Sequence, residues 1–345
     1  MPCSVSTTLL FAGIGTLLFH FVSKMQVPAF LGSSFAFIGG YLSVKQLGME
    51  QGMSETLALD YACIGVMCAG MCYFIMAALI KAFGSQKVLK FFPPVVTGPM
   101  VIAIGLTLSG SAIQNCTSNW FLAIVAIVVV ILSSIWGKGI IKIVPILLGV
   151  IASYALAAAM GEVDFSSVND AAWIGLPFSR ETSVLAVTDD FNGSFLLSSI
   201  IAIVPIAFAT IMEHIGDICA ISSTVGRDFL AKPGLHRTLI GDGLATALAS
   251  IFGAPANTTY GENTGVLNLT RVFDPAVIRL AAIFSIILSF CPKFACIIGL
   301  MPAATIGGVS LILYGMISSV GVRNLVESAV DLSSSRNVFV AALIL

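Results

Sequence analysis

The sequence predicts an all-α integral membrane protein whose helical run is interrupted at two matching places. Three observations carry that expectation. The composition demands a non-aqueous solvent, apolar runs of spanning length follow one another along the chain, and two shorter apolar stretches each open on Pro-Ala and are rich in Gly, Ser or Thr.

Of 345 residues, 58% are hydrophobic and only 10% charged, and the mean hydropathy is +1.03. A water-soluble fold carries about 25% charged residues and could not hold this surface without large exposed apolar patches. Sixteen Lys and Arg balance seventeen Asp and Glu to a net charge of -1, so no basic field points to a nucleic-acid partner. The cysteines Cys3, Cys63, Cys68, Cys72, Cys116, Cys219, Cys291 and Cys296 include no C-x-x-C pair. They read as small buried hydrophobes, with neither a disulfide framework nor a metal site expected, and no cofactor is implied. The first apolar run lacks a basic leader, so no cleavable signal peptide is expected.

Crossing a hydrocarbon layer takes about 20 helical residues. Runs of that kind are Val5 to Val22, Thr56 to Ile80, Phe92 to Gln114, Trp120 to Trp136, Ile140 to Met160, Phe195 to Ile221, Leu239 to Phe252, Ala276 to Phe290 and Cys296 to Ser319. The two broken stretches are Val27 to Tyr41 and Pro255 to Leu269. Counting each as a crossing puts Lys24, Lys81, Lys87, Lys90, Lys138, Lys142, Arg227, Lys232, Arg237, Arg271, Arg279, Arg323 and Arg336 on one side, which the positive-inside bias makes cytoplasmic. The opposite loops keep Lys45, Arg180 and Lys293 and collect Glu50, Glu55, Glu162, Asp164, Asp170, Glu181, Asp189 and Asp190. Without both crossings the separation collapses.

The halves echo each other. Gly13-Ile-Gly-Thr-Leu-Leu followed by Pro28-Ala29 returns as Gly243-Leu-Ala-Thr-Ala-Leu followed by Pro255-Ala256, and Phe92-Pro-Pro-Val-Val-Thr-Gly98 returns as Met301-Pro-Ala-Ala-Thr-Ile-Gly307. The two units enter the membrane in opposite senses, the pattern of an inverted-repeat transporter. Paired, interrupted segments are then the pointer to its substrate site. The charge rule puts the N-terminus outside, and the last apolar run, from Asn337, ends after about nine residues, too few to span. Both ends lead us to expect further helices flanking this sequence.

A carboxylate at membrane depth costs at least about 2.5 kcal/mol and needs a function or a partner. Four stand out: Glu213, Asp217, Asp242 and Glu262. Glu213 and Asp217 share a helix face, while Asp217 and Asp242 alternatively sit near helix ends and reach water. Glu262 follows Pro255-Ala-Asn-Thr-Thr-Tyr-Gly261, irregular backbone that membranes tolerate only inside protein or along a cavity. Carboxylates and unpaired backbone N–H groups suit a small, flat, neutral ring with alternating N–H and C=O groups, and Phe35, Phe37 and Tyr260 would wall it. Two acids in one dry site do not both ionise cheaply, so one of them would take a proton. His20 and His214 read as satisfied polar residues and His236 as solvated. No nucleophile–base set or metal-ligand spacing appears, which argues against an enzyme.

The segment Glu262-Asn-Thr-Gly-Val-Leu-Asn-Leu-Thr270-Arg271 resembles the signature of the nucleobase/ascorbate transporter family, [Gln/Glu/Pro]-Asn-x-Gly-x-x-x-x-Thr-[Arg/Lys/Gly]. Glu213-His-Ile-Gly, Pro233-Gly-Leu-His-Arg237, Gly307-Gly-Val-Ser-Leu-Ile-Leu-Tyr-Gly315 and Pro28-Ala-Phe-Leu-Gly-Ser-Ser-Phe-Ala-Phe37 extend the likeness over nearly the whole chain. The resemblance implies fourteen helices in two inverted repeats of seven, with short strands in the third and tenth segments, of which this chain would lack the first helix and the last one or two. Core-domain parts are expected at 1–80 and 195–291, gate-domain parts at 81–160 and 292–345, and an outer loop at 161–194. It implies a multi-pass cell-membrane protein importing uracil with a proton, Glu at 262 matching the uracil branch; a purine or xanthine carrier, or a truncated chain that does not transport, are the alternatives. Substrate would meet Glu213, Glu262, Gly261, Tyr260 and the backbone near Phe35. Proton coupling would involve Glu213, Asp217, Glu262 and Asp242, with Asp217 standing where the family often has His. The expected partners are the nucleobase, the proton, the lipid bilayer and a second copy through the gate domain.

Overall fold

The computed structural model describes residues 4–90, 93–178, 184, 187 and 191–345, and within these the side chains of Gln86, Leu89, Glu262 and Leu269 fall outside the description. Cys3, Phe92, Arg180, Glu181, Asp189 and Asp190, all used in the sequence reading, also lie outside it. The chain runs through α1 (Val5–Val22), β1 (Leu31–Ser33), a 3-10 turn (Phe35–Phe37), α2 (Ile38–Glu50), α3 (Glu55–Phe83) and α4 (Ser85–Leu89). Next come α5 (Pro94–Cys116), α6 (Trp120–Trp136), α7 (Ile140–Ile143), α8 (Pro145–Ala159) and α9 (Ser166–Asp170). The last elements are α10 (Gly193–Ile203), α11 (Ile206–Val225), α12 (Leu235–Ile251), β2 (Asn257–Thr259), α13 (Glu262–Thr270), α14 (Pro275–Ser289), α15 (Pro292–Gly299), α16 (Ala303–Glu327) and α17 (Ser335–Ile344).

Local chemistry sets where these helices begin. Ser4, Ser54, Asn119, Asn192 and Asp274 each accept a first-turn backbone N–H, and Pro94, Pro145 and Pro275 occupy first positions where no intrahelical donor is needed. Five described helices, counting α10 and α11 as one, are long and apolar enough to cross a membrane. Their polarity is inverted relative to a soluble protein. Along α6 the residues Phe121, Ile124, Val128, Ile131 and Ile135 form an exposed stripe at three- and four-residue spacing, while Leu122, Ala123, Ala126 and Val130 face inward. An apolar outward stripe of this kind needs lipid or another protein surface against it.

The chain divides into two units, residues 1–91 with 172–295, and residues 92–171 with 296–345. In the first, α1 packs on α12 and α14, and α12 packs on α3. Its core gathers Phe19, Val27, Ala29, Leu31, Ile218 and Ile221. In the second, α16 lies along α5 so closely that a side chain at Gly321 would meet the Gly98 carbonyl. Small residues let membrane helices approach this way. There Ser153 donates to the Leu122 carbonyl at 2.9 Å and lies 2.8 Å from Thr305 Oγ1.

β1 and β2 meet inside the first unit as an antiparallel pair, with Leu31 opposite Thr259, Gly32 opposite Thr258 and Ser33 opposite Asn257. Ser34 N–H donates to Ala256 O at 2.8 Å and Tyr260 N–H to Phe30 O at 3.0 Å, extending the ladder by one bond at each end. A threonine ties each strand to the helix before it. Thr16 of α1 accepts from Leu31 N–H at 2.9 Å, and Thr246 of α12 donates to Asn257 O at 2.8 Å.

Several expected spans change form. The run Ile140 to Met160 is split into α7 and α8, because Pro145 has no N–H to continue the ladder; Phe195 to Ile221 is divided at Pro205 for the same reason. Cys296 to Ser319 is likewise α15 followed by α16, and α15 bends 90° from α14. Arg279 sits in the second turn of α14 instead of the preceding loop, since Asp274 caps and Pro275 opens that helix earlier. Lys45, expected in a loop, lies within α2 and bonds Glu55 at 2.5 Å. Cys219 is exposed, unlike the buried Cys63 and Cys116.

The strand ties give a test. Thr16 is fully buried, so Thr16→Val strands the Leu31 N–H without a partner, at a cost of about 1–3 kcal/mol. The thermal unfolding midpoint in detergent is expected to fall for Thr16→Val and to stay near the parent for Thr16→Ser, which keeps the hydroxyl.

Candidate functional site

The site residues foreseen from the sequence converge on the first unit. Glu213 and Asp217 lie one turn apart on α11, both half-buried. Tyr260 and Gly261 join β2 to α13, which begins at Glu262. Phe35 stands in the 3-10 turn after β1, and that turn packs against α11. Glu262 is placed by its backbone alone. Of the N–H groups at this helix start, Asn263 donates to Tyr260 O at 3.3 Å and Thr264 to Gly261 O at 3.0 Å, which leaves those of Gly261 and Glu262 as the candidates for ring carbonyls.

Two points of contact hold α11 to the β2–α13 junction. At one, a Cβ on Gly261 would collide with Asp217 Oδ1, so any larger residue there would force the carboxylate to shift. At the other, His214 Nδ1 is 2.8 Å from Thr259 Oγ1. On α11 both contacts follow Glu213 in sequence, and on the facing segment they bracket Tyr260.

Behind them stands Asp242 of α12. Its Oδ1 accepts from Thr259 N–H at 3.0 Å and from the Thr259 hydroxyl at 3.2 Å, and its Oδ2 is 3.2 Å from His214 Nδ1. Asp242 is 0% exposed, so the expectation that it could reach water at a helix end is corrected. The cause is that α12 starts at Leu235, two turns earlier than Asp242, and buries it against β2. His214, 1% exposed, also meets the edge of Phe19 with ring centroids 6.2 Å apart.

On the strand side, the Tyr260 hydroxyl donates to Ser33 O at 3.0 Å and its ring lies over Gly32, where any side chain would collide with it. Since the Tyr260 N–H is committed to Phe30 O, the residue offers its ring and not its amide to a ligand. Phe37 is fully buried beneath the turn. Tyr73 of α3 donates to Thr210 Oγ1 at 2.8 Å and lies within electrostatic reach of Asp242, Glu213 and Asp217. Three of the four foreseen carboxylates therefore share one neighbourhood.

Sequence reasoning passed over Thr259 and the link from His214 to Asp242, because hydroxyls and a lone histidine carry no spacing signal. It also missed Asp60 of α3, a fifth intramembrane carboxyl at 2% exposure that lay hidden in a strongly apolar run. Asn257, in the segment before the signature, donates to Phe11 O at 2.6 Å and anchors β2 to α1.

Comparisons with known proteins agree with this architecture. Residues 3–345 match the model of the Permease family. The uracil permease of Bacillus subtilis (strain 168) is 38% identical over 355 residues, 99% of this chain and 78% of that protein. The uracil permease of Escherichia coli (strain K12) is 37% identical over 351 residues, 99% of this chain and 77% of that protein. Among solved structures, the transmembrane domain of a cyanobacterial bicarbonate transporter, BicA, superimposes with a TM-score of 0.66 at 15% identity, covering 98% of this chain and 93% of that one. That likeness concerns the fold alone.

The close fit of Asp217 to Gly261 predicts a coupled effect. Gly261→Ala should lower the thermal midpoint in detergent by an overpacking cost of about 1–3 kcal/mol. Adding Asp217→Ala to that variant should recover part of the loss, and additive losses in the double-mutant cycle would show that the two sites do not touch.

Proposed function

This chain belongs to the Permease family, the nucleobase/ascorbate transporters its signature resembles, and from that premise we propose that it is a multi-pass cell-membrane carrier that imports uracil together with a proton. The observation that carries the reading is the identity of 37–38% to uracil permeases over 99% of the chain. Members of the family are transporters and not enzymes.

Uracil is a small planar ring with N–H donors beside C=O acceptors. Glu213 would accept from ring N–H groups, and Glu262 would accept from the other edge. The backbone N–H groups at the start of α13, around Gly261, would donate to a ring carbonyl. Tyr260 and Phe35 would wall the ring faces. Asp217 and Asp242, with the two glutamates, form the acidic set through which a proton could travel. Neutralising one carboxylate as substrate binds would lower the cost of burying the others.

An inverted repeat supports an alternating-access mechanism. Advancing every residue by 227 carries Pro28-Ala29 onto Pro255-Ala256. The same shift turns the pair Leu31–Thr259 into the pair Thr258–Gly32, which is itself in the observed register. It also relates Ser33–Asn257 to Tyr260–Phe30, where the Tyr260 N–H bond is found. In this reading the unit of residues 1–91 and 172–295 is the core that carries the site, and the other unit is the gate.

Radiolabelled uracil uptake into cells or proteoliposomes tests the proposal. Uptake should be driven by an acidic exterior and abolished by a protonophore, and excess xanthine should not compete. Glu213→Ala and Glu262→Ala should each lower uptake by at least about tenfold, the loss of roughly 1.4 kcal/mol or more. Unchanged uptake in either variant would remove that residue from the site.

A further inference from the structure

The imidazole of His214 faces away from the position where Glu213 would meet substrate, yet it lies between the two halves of the site. It follows Glu213 directly on α11 and touches Thr259, two residues before Gly261. The Thr259 hydroxyl has one hydrogen, and it donates that to Asp242 Oδ1. The hydroxyl can then only accept at its contact with the ring, so the hydrogen of that contact sits on Nδ1. From Nδ1 it is donated to Thr259 Oγ1 at 2.8 Å, while Asp242 Oδ2 lies 3.2 Å away and accepts no hydrogen bond among the described residues. Nε2 is buried and has no hydrogen-bond partner among the described residues. The whole of the ring's polar bonding therefore passes through one N–H.

We propose that His214 is a positioning residue: its Nδ1–H, donated to the Thr259 hydroxyl beside Asp242, sets the distance between Glu213 on α11 and the Gly261–Glu262 backbone, and so fixes substrate affinity. The proposal rests on the reading of Glu213, Gly261 and Glu262 as the uracil site. Its reasoning is geometric. β2 cannot move along α11 without breaking the contact to Thr259, and α12 is held to the same point because Asp242 Oδ1 takes both the N–H and the hydroxyl of Thr259. The neighbouring contact of Asp217 with Gly261 limits approach, whereas the His214 bond limits separation. Phe19 packs against the same ring, edge to face, with centroids 6.2 Å apart.

Chemically matched substitutions separate this role from simple volume. Asn places its amide N–H near the position of Nδ1, Gln places it near Nε2, and Leu fills the space without a donor. His214→Asn should therefore retain a uracil KM within about threefold of the parent, while His214→Gln and His214→Leu should raise KM by at least about tenfold with a smaller change in maximal rate. Amide exchange of residues 257–262 in protein without uracil should accelerate in the Gln and Leu variants and not in Asn. That second readout does not depend on what the carrier binds. If Glu213→Ala leaves uptake intact but the exchange pattern holds, the site assignment is wrong and the clamp stands. If Asn, Gln and Leu behave alike in exchange, the clamp is wrong. If Gln and Leu do not fold, Asn alone decides: a folded Asn variant with near-parent KM supports the proposal, and an unfolded one or a KM raised tenfold overturns it.

Discussion

Everything distinctive in the first unit depends on one constraint: peptide groups that leave a helix inside a membrane must find partners in protein. Two stretches of this chain do leave, after Pro28-Ala29 and after Pro255-Ala256, and they satisfy each other. β1 supplies the edge that β2 needs, from Phe30–Tyr260 at one end to Ser34–Ala256 at the other. Neither strand of three residues would persist alone. Their pairing fixes where the 3-10 turn and α13 begin, and with them the directions in which free helix-start N–H groups point.

The polar groups around the ladder are arranged to defend it. Thr16 and Thr246 tie strands to preceding helices, Asn257 reaches the Phe11 carbonyl, and Asp242 takes the Thr259 N–H that no strand neighbour claims. Each of these residues is buried. A buried carboxylate is costly unless hydrogen bonds compensate it, and Asp242 receives two from Thr259 with the His214 ring 3.2 Å away. The acid foreseen as a proton carrier is thus also a structural acceptor. The acids Glu213 and Asp217, on the neighbouring turn of α11, are only half-buried.

Legibility in the sequence followed the strength of each physical signal. Apolar length gave α1, α3, α5 and α6 nearly to the residue, because hydrocarbon thickness imposes a minimum run. Pro-Ala with Gly and Thr marked the interrupted stretches, although not that they pair, since three-residue strands have no periodicity to detect. Prolines 145 and 205 divided helices that hydropathy alone joined. The acids Glu213, Asp217 and Asp242 stood out against their apolar surroundings, and the structure brings all three near Tyr73. What remained hidden was the set of small hydroxyl partners. Thr259 and Thr246 look like ordinary membrane-helix threonines until the strands are in place, and Asp60 vanished in the average of a long apolar helix.

Uracil is proposed to bind where the broken segments meet α11. Photo-crosslinking with 5-iodouracil, mapped by mass spectrometry on the purified chain in lipid, addresses it directly. The account predicts adducts confined to residues 30–37, 210–217 and 257–263, and suppressed by unlabelled uracil. Adducts that uracil displaces from residues 92–171 or 296–345 would contradict it.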